Sequence, residues 1–229
     1  MKRLVLAVVG MASVALFGPV ARAQATPITI PSGLNPGDTY FLVFATAETR
    51  TASSHQIADY DAFVTAEANS DPLLFALGTT WSVIGSTETV NAVTHIGVTG
   101  PVYNLGGRLV ATGSADLFDG RIDAPIEYDQ HGNLDDHLVW TGSFFGGVAA
   151  TGHRLGDVRP EFGLDYATAS SWLDSDFFDS DVSYAVYGIS GPLVVPTLVV
   201  PTSVPEPATL VLLGTGLVAV ARRRFKQRT

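Results

Sequence analysis

The densest group of side chains able to do chemistry is Asp174-Ser175-Asp176-Phe177-Phe178-Asp179-Ser180-Asp181, which places four carboxylates within eight residues. A calcium ion takes about six to eight oxygens, and a loop folded back on itself would supply several from Asp174, Asp176, Asp179 and Asp181. No cofactor is expected, with calcium as the one possibility. The spacing is not that of an EF-hand, which needs a central glycine and a terminal bidentate glutamate. A second set, Asp129-Gln130-His131-Gly132-Asn133-Leu134-Asp135-Asp136, offers Asp129, Asn133 and Asp135 to a single turn. For both sets the plain alternative is a solvated acidic loop, the first pinned to the core by Phe177 and Phe178.

Other chemistries have less to stand on. His55, His95, His131, His137 and His153 form no His-Glu-x-x-His pair, and no cysteine accompanies them, so exposed or capping roles are expected rather than a zinc site. Neither a Gly-x-Ser-x-Gly elbow nor a phosphate-binding glycine loop occurs. A pair of carboxylates placed for glycoside hydrolysis can arise by chance among so many acids. Trp81, Trp140 and Trp172 are the candidates for a sugar-stacking platform. In a domain without disulfides they are expected in the core instead, because each aromatic side chain buries a large apolar area.

The elements that must position these groups follow from the apolar pattern. After a turn-rich stretch from Pro31 to Asp38, Thr39-Tyr40-Phe41-Leu42-Val43-Phe44-Ala45 reads as a buried strand. Ser53 or Ser54 then caps a helix in which Ile57, Tyr60, Val64 and Ala68 recur, ending before Asp71-Pro72. Trp81-Ser82-Val83-Ile84 is a strand, and Thr87 caps a short helix using Val90 and Val93. From Gly97 onward short apolar runs are broken by Gly, Pro, Asp and Asn, which predicts loops and small strands. Among them are a hairpin over 101–111 and a strand at Leu138-Val139-Trp140-Thr141-Gly142. The last strong strand is Val182 to Ile189. The fold class expected is α+β.

Both ends of the chain stand apart from this body. Lys2 and Arg3 precede an apolar run from Leu4 to Phe17, and Ala21-Arg22-Ala23 has the small-x-small form that signal peptidase accepts, so residues 1–23 are expected to be a secretory signal. At the other end an apolar stretch of 14 residues, Ala208 to Ala221, is followed by Arg222-Arg223-Arg224-Phe225-Lys226-Gln227-Arg228-Thr229. As a helix it measures about 21 Å against a bilayer core of about 30 Å, a short anchor in the inner membrane. Arg222, Arg223 and Arg224 are expected to stop in the cytoplasm, leaving everything upstream outside.

Removing the ends changes the charge. Residues 24–201 hold only five basic residues, Arg50, Arg108, Arg121, Arg154 and Arg159, against 21 acids, a net charge of −16 compared with −9 for the whole chain. Such a charge argues against nucleic acid or anionic lipid as a partner, since phosphate binding needs clustered Lys and Arg. Divalent cations, a cationic polymer or simple solubility are compatible. The chain has no cysteine, so this body must be held by its core, and its length suffices for one domain.

Val204-Pro205-Glu206-Pro207, followed by the short apolar run and the terminal arginines, resembles the tripartite PEP-CTERM sorting signal of exported proteins in diderm bacteria. The resemblance implies that residues 202–229 are recognised, and the tail removed, by an exosortase. A second resemblance rests on dispersed residues across 39–193: Tyr40 to Ala45, Ile57-Ala58-Asp59-Tyr60, Gly100-Pro101-Val102-Tyr103-Asn104-Leu105-Gly106-Gly107, Val139-Trp140-Thr141-Gly142 and Tyr184-Ala185-Val186-Tyr187. This series is similar to the C-type-lectin-like fold, in particular its endostatin branch. That fold implies paired terminal strands, a helix after the first, and a long loop region between later strands. The sequence departs from it in lacking the disulfide cysteines and the sugar-calcium motifs Glu-Pro-Asn or Gln-Pro-Asp with Trp-Asn-Asp; Trp140-Thr141-Gly142 carries no ligand oxygens. The function expected is that of a non-enzymatic cell-surface or extracellular-matrix protein with exosortase and signal peptidase as partners in export. A carbohydrate- or calcium-binding adhesion module, with exopolysaccharide as ligand, is the alternative, and a secreted hydrolase a further one.

Overall fold

The computed structural model describes residues 26–197. The signal at 1–23 with Ala21 and Ala23, the sorting motif, the apolar run 208–221 and Arg222 to Arg224 lie outside the described residues.

The apolar run after the opening turns forms β1 (Thr39–Ala45), followed by a short β2 (Arg50–Thr51). Next comes α1 (Ile57–Ser70), which buries Tyr60, Val64 and Ala68 on one stripe, as the helical spacing predicts. Its start differs from expectation: Gln56 is the N-cap and makes no side-chain capping bond. Ser54 lies too early, and its hydroxyl instead accepts the Gln56 N–H and donates to Asp59. The helix ends at Ser70, where Asp71 leaves the helical conformation ahead of proline. Asp71 then caps a second, unexpected helix, α2 (Pro72–Phe75), accepting N–H bonds from Leu73 at 2.8 Å and Leu74 at 3.3 Å, with Pro72 in the first turn.

β3 (Trp81–Val83) follows, then α3 (Ala92–His95). Thr87 does not cap this helix; its N–H closes a turn onto the Val90 carbonyl, and Asn91 holds the N-cap position. β4 (Val102–Asn104) and β5 (Leu109–Ala111) make the expected hairpin, and α4 (Ser114–Leu117) succeeds it. The loop-rich remainder contains β6 (Leu138–Trp140), a small hairpin of β7 (Ser143–Phe144) and β8 (Val148–Ala149), then β9 (Glu161–Leu164) and β10 (Asp176–Phe177). The chain returns through β11 (Ser183–Ser190) and β12 (Leu193–Val194).

Among the described residues the main sheet runs β10-β9-β6-β11-β1-β4-β5, with β12 extending along β1 and with β2 and β3 on β11. The first and last long strands are antiparallel neighbours, Val43 opposite Ile189 and Ala45 opposite Tyr187. Each has a parallel neighbour as well, β1 with β4 and β11 with β6. Mixed helix and strand content around a large sheet gives the α+β class.

Both faces of the central strands are covered, which is why β1 reads as a continuous apolar run. Successive side chains point to opposite faces. Tyr40, Leu42 and Phe44 join Tyr60, Val64, Trp81 and Trp140 beneath α1. Phe41, Val43 and Ala45 pack on the other side with Ile84, Leu117, Ile126, Trp172 and Tyr187. Helix α1 comes so close to the sheet that a Cβ on Gly188 would lie 2.6 Å from Val64 Cγ1 and 2.7 Å from the Phe44 ring.

The three tryptophans, at 0 to 3 % exposure, belong to this core, as expected. Trp140 packs at 4.5 Å, centroid to centroid, on Tyr184 and edge-on to Phe162, and its indole N–H donates to the Val182 carbonyl at 3.3 Å. Trp140→Ala empties that site and is expected to cost about 3–5 kcal/mol, seen as a lowered denaturant midpoint. Unchanged melting together with lost polysaccharide binding would place Trp140 on a ligand platform instead.

Candidate functional site

The 174–181 run lies at the outer edge of the main sheet, where β10 pairs with β9. Extended backbone draws its four acids apart. The Asp174 carboxylate accepts the Phe145 N–H at 3.3 Å, and Asp176 accepts the N–H of Phe177 at 2.9 Å. Asp179 forms an ion pair with Arg159 at 3.3 Å, and its carbonyl closes a turn onto the Val182 N–H ahead of β11. Phe177 is the pin, stacked on the His153 ring at 4.0 Å with the Arg159 guanidinium 4.6 Å from its centroid. Phe178 is 43 % exposed and does not pin the loop in the same way.

The loop thus does not wrap a central point, and among the described residues no three His, Asp or Glu side chains form a metal-binding group. Asp174, Asp176, Asp179 and Asp181 are therefore not gathered into one such group in this arrangement. The second acidic set is likewise engaged internally. One Asp129 oxygen accepts the N–H groups of His131 and Asn133, both at 2.8 Å, and the other accepts the Asn133 side-chain amide at 2.9 Å. This is a self-bonded turn of the kind Asp favours. Asp135 is directed away from it, to His137 at 3.3 Å.

Three histidines are matched to carboxylates, a role the sequence did not reveal. His95 meets Asp61 at 2.9 Å, and His131 meets Asp71 at 3.3 Å. His137 lies between Asp135 and Asp165, the latter at 3.7 Å. Asp165 is completely buried, with one carboxylate oxygen lacking a hydrogen-bond partner; burial pushes its carboxyl up to about 7.

The most perturbed carboxyl on this edge is Glu161, contributed by β9. It is 3 % exposed and reaches the Asp174 carboxyl, with Asp176 nearby. Burial first, and then the charges of Asp174 and Asp176, push it up to about 8. The sequence offered only a faint sign of this, an acid on the inward-facing position of an alternating Glu161-Phe162-Gly163-Leu164 strand. Two close carboxyls of unequal acidity are a feature of some hydrolases. Here the more perturbed one is sealed within the protein, and the apolar groove described below lies at a different edge of the fold.

The body therefore spends its acids chiefly on its own backbone, histidines and arginines, and the sequence signal for function moves to the C-terminus. Residues 203–224 match the PEP-CTERM protein-sorting motif. This chain carries an exosortase sorting signal. The PEP-CTERM motif marks it as an exported protein, sorted by exosortase to the cell surface. No characterised protein matches the chain.

Glu161 carries a pH prediction. Its carboxyl keeps a proton up to about 8 in the folded chain but only to the ordinary 4.5 when unfolded. Between those values the folded state binds more protons, so stability falls as pH rises through the window. Asp165 acts in the same sense between its ordinary 3.8 and about 7. The melting temperature is expected to drop by several degrees between about pH 5 and about pH 8.5, with a smaller drop in Glu161→Gln. An equal slope in the variant would show that Glu161 is already ionised at low pH.

Proposed function

We propose that the protein is a non-enzymatic component of the cell surface or extracellular matrix: one acidic C-type-lectin-like domain exported behind a cleaved signal and delivered by its PEP-CTERM tail. The observation that carries this reading is the sorting motif at 203–224, which begins six residues after Thr197, the last described residue. The lectin-like assignment rests on the sequence resemblance; the features to compare with it are the antiparallel pairing of β1 with β11, helix α1 after the short β2, and the loop-rich stretch before β11. Signal peptidase and exosortase are the processing partners, and residues 208–221 anchor the precursor in the inner membrane until the tail is removed.

Intact mass of the exported form tests processing at both ends. The expected species starts at Gln24 and ends near Pro205. Retention of both ends would refute cleavage, and retention of the tail alone would make 208–221 a permanent anchor.

A second reading, a carbohydrate- or calcium-binding adhesion module, is favoured by the crowding of Glu161, Asp174 and Asp176 at one sheet edge, since a cation would relieve their repulsion. It requires the 174–181 segment to close further than it does here. Addition of calcium would then raise the melting temperature in the parent chain and not in Asp176→Asn. Equal responses in the two proteins, or none, would remove this reading. A hydrolase would need substrate access to the Glu161–Asp174 pair, which the burial of Glu161 opposes.

A further inference from the structure

A groove of about 380 Å³ opens beside the last described residues, walled by Ile30, Tyr40, Leu77, Leu193 and Pro196 among others. None of its lining residues is charged. Its lining residues come from three stretches free of charged residues, 26–37, 72–87 and 182–197. The adjoining acids are held elsewhere. Asp38 accepts the Asn35 N–H at 2.7 Å, and Asp71 caps α2 and faces His131. Around this neutral opening Ile30, Val194 and, beside the lining Ala76, Phe75 stand 48, 60 and 65 % exposed. The N-terminal side is fixed in place by the Tyr40 hydroxyl, which donates to the Thr29 carbonyl at 2.7 Å, and by the Ile28 N–H on the Leu105 carbonyl. The surface is thus prepared before anything binds it.

The chain itself says which way this surface faces. Pro196 lines the groove and Thr197 is the last described residue, so only residues 198–207 separate it from the apolar run that begins at Ala208. That tether spans about 35 Å at full stretch. A body of this length is roughly 40 Å across. The anchored chain therefore cannot turn its far side to the bilayer without stretching the tether fully. Electrostatics select the same orientation, because the rest of a body of charge −16 is repelled by anionic headgroups.

We propose that this neutral apolar face rests on the lipid surface of the membrane holding the precursor, with Ile30, Phe75 and Val194 at the headgroup boundary, and so fixes the body above the sorting motif. The inference rests on residues 208–221 being a membrane anchor.

The absence of cysteine makes the test direct. Full-length chains carrying a single fluorophore at Phe75→Cys or Val194→Cys are reconstituted into phosphatidylcholine vesicles containing nitroxide-labelled lipid. The control is Val158→Cys, an exposed site whose carbonyl accepts the Ser180 N–H near the opposite end of β11. Quenching at 75 and 194 is expected to be at least about threefold that at 158, the distance along β11 being about 25 Å. Flotation with the vesicles checks the anchor separately. Chains that fail to float overturn the anchor reading and this inference with it, whereas chains that float with equal quenching at all three sites overturn this inference alone. Energy transfer between labels at 75 on different chains would assign the face to a second copy and overturn the lipid assignment. A preference seen only with exosortase co-reconstituted would assign it to a protein partner, with the same result.

Discussion

Val43 opposite Ile189 and Ala45 opposite Tyr187 join the first long strand to the last, and nearly everything else in the body is fastened to that pair. With no cysteine available, the joint is made entirely of backbone bonds and buried side chains. Two side-chain bonds reinforce it: the Ser190 hydroxyl accepts the Leu42 N–H at 2.9 Å, and the Thr46 hydroxyl accepts the Val186 N–H at 3.1 Å. Helix α1 lies on one face of the pair, and the loop-rich middle of the chain covers the other. An exported domain of this size would ordinarily be free to add disulfides. This one instead buries both faces of its central strands, and the continuous apolar runs of β1 and β11 are the trace of that solution in the sequence.

That trace explains what sequence patterns could and could not disclose. Runs such as Tyr40 to Ala45 and Tyr184 to Ile189, and the Tyr60-Val64-Ala68 stripe, record local burial, so strands and helix were legible. Caps were less so: hydroxyl and acidic residues near a helix start look alike in sequence, and Ser54 and Thr87 serve turns while Asp71 caps a helix where the sequence suggested only a break. The parallel pairing of β1 with β4 and of β11 with β6 was invisible, because it depends on which loops can cross over rather than on any residue's own preference. A two-residue edge strand such as β10 leaves no periodicity to detect.

The acids show the same division between composition and arrangement. Counting them gave the charge of the body and argued against nucleic acid as a partner. It did not tell how they are used. Asp61, Asp71 and Asp135 hold histidines, Asp129 ties its own turn, Asp157 and Asp179 take arginines, and Glu161 is kept protonated by burial and by its neighbours. A cluster that reads as a ligand set when written in a line is stretched along a sheet edge in space. The sorting signal was legible for the opposite reason, since it is read as contiguous sequence and does not depend on a tertiary arrangement.

The distance in sequence between the two central strands also governs when the body can exist. The bonds that join them link residues 148 and 140 apart, so β1 has no permanent neighbour on that edge until almost the whole domain has been synthesised. Such non-local closure is slow. A chain travelling through a narrow conduit amino-terminus first would therefore remain pliable throughout its passage, and the event that ends its pliability is the arrival of the segment immediately ahead of the sorting tail.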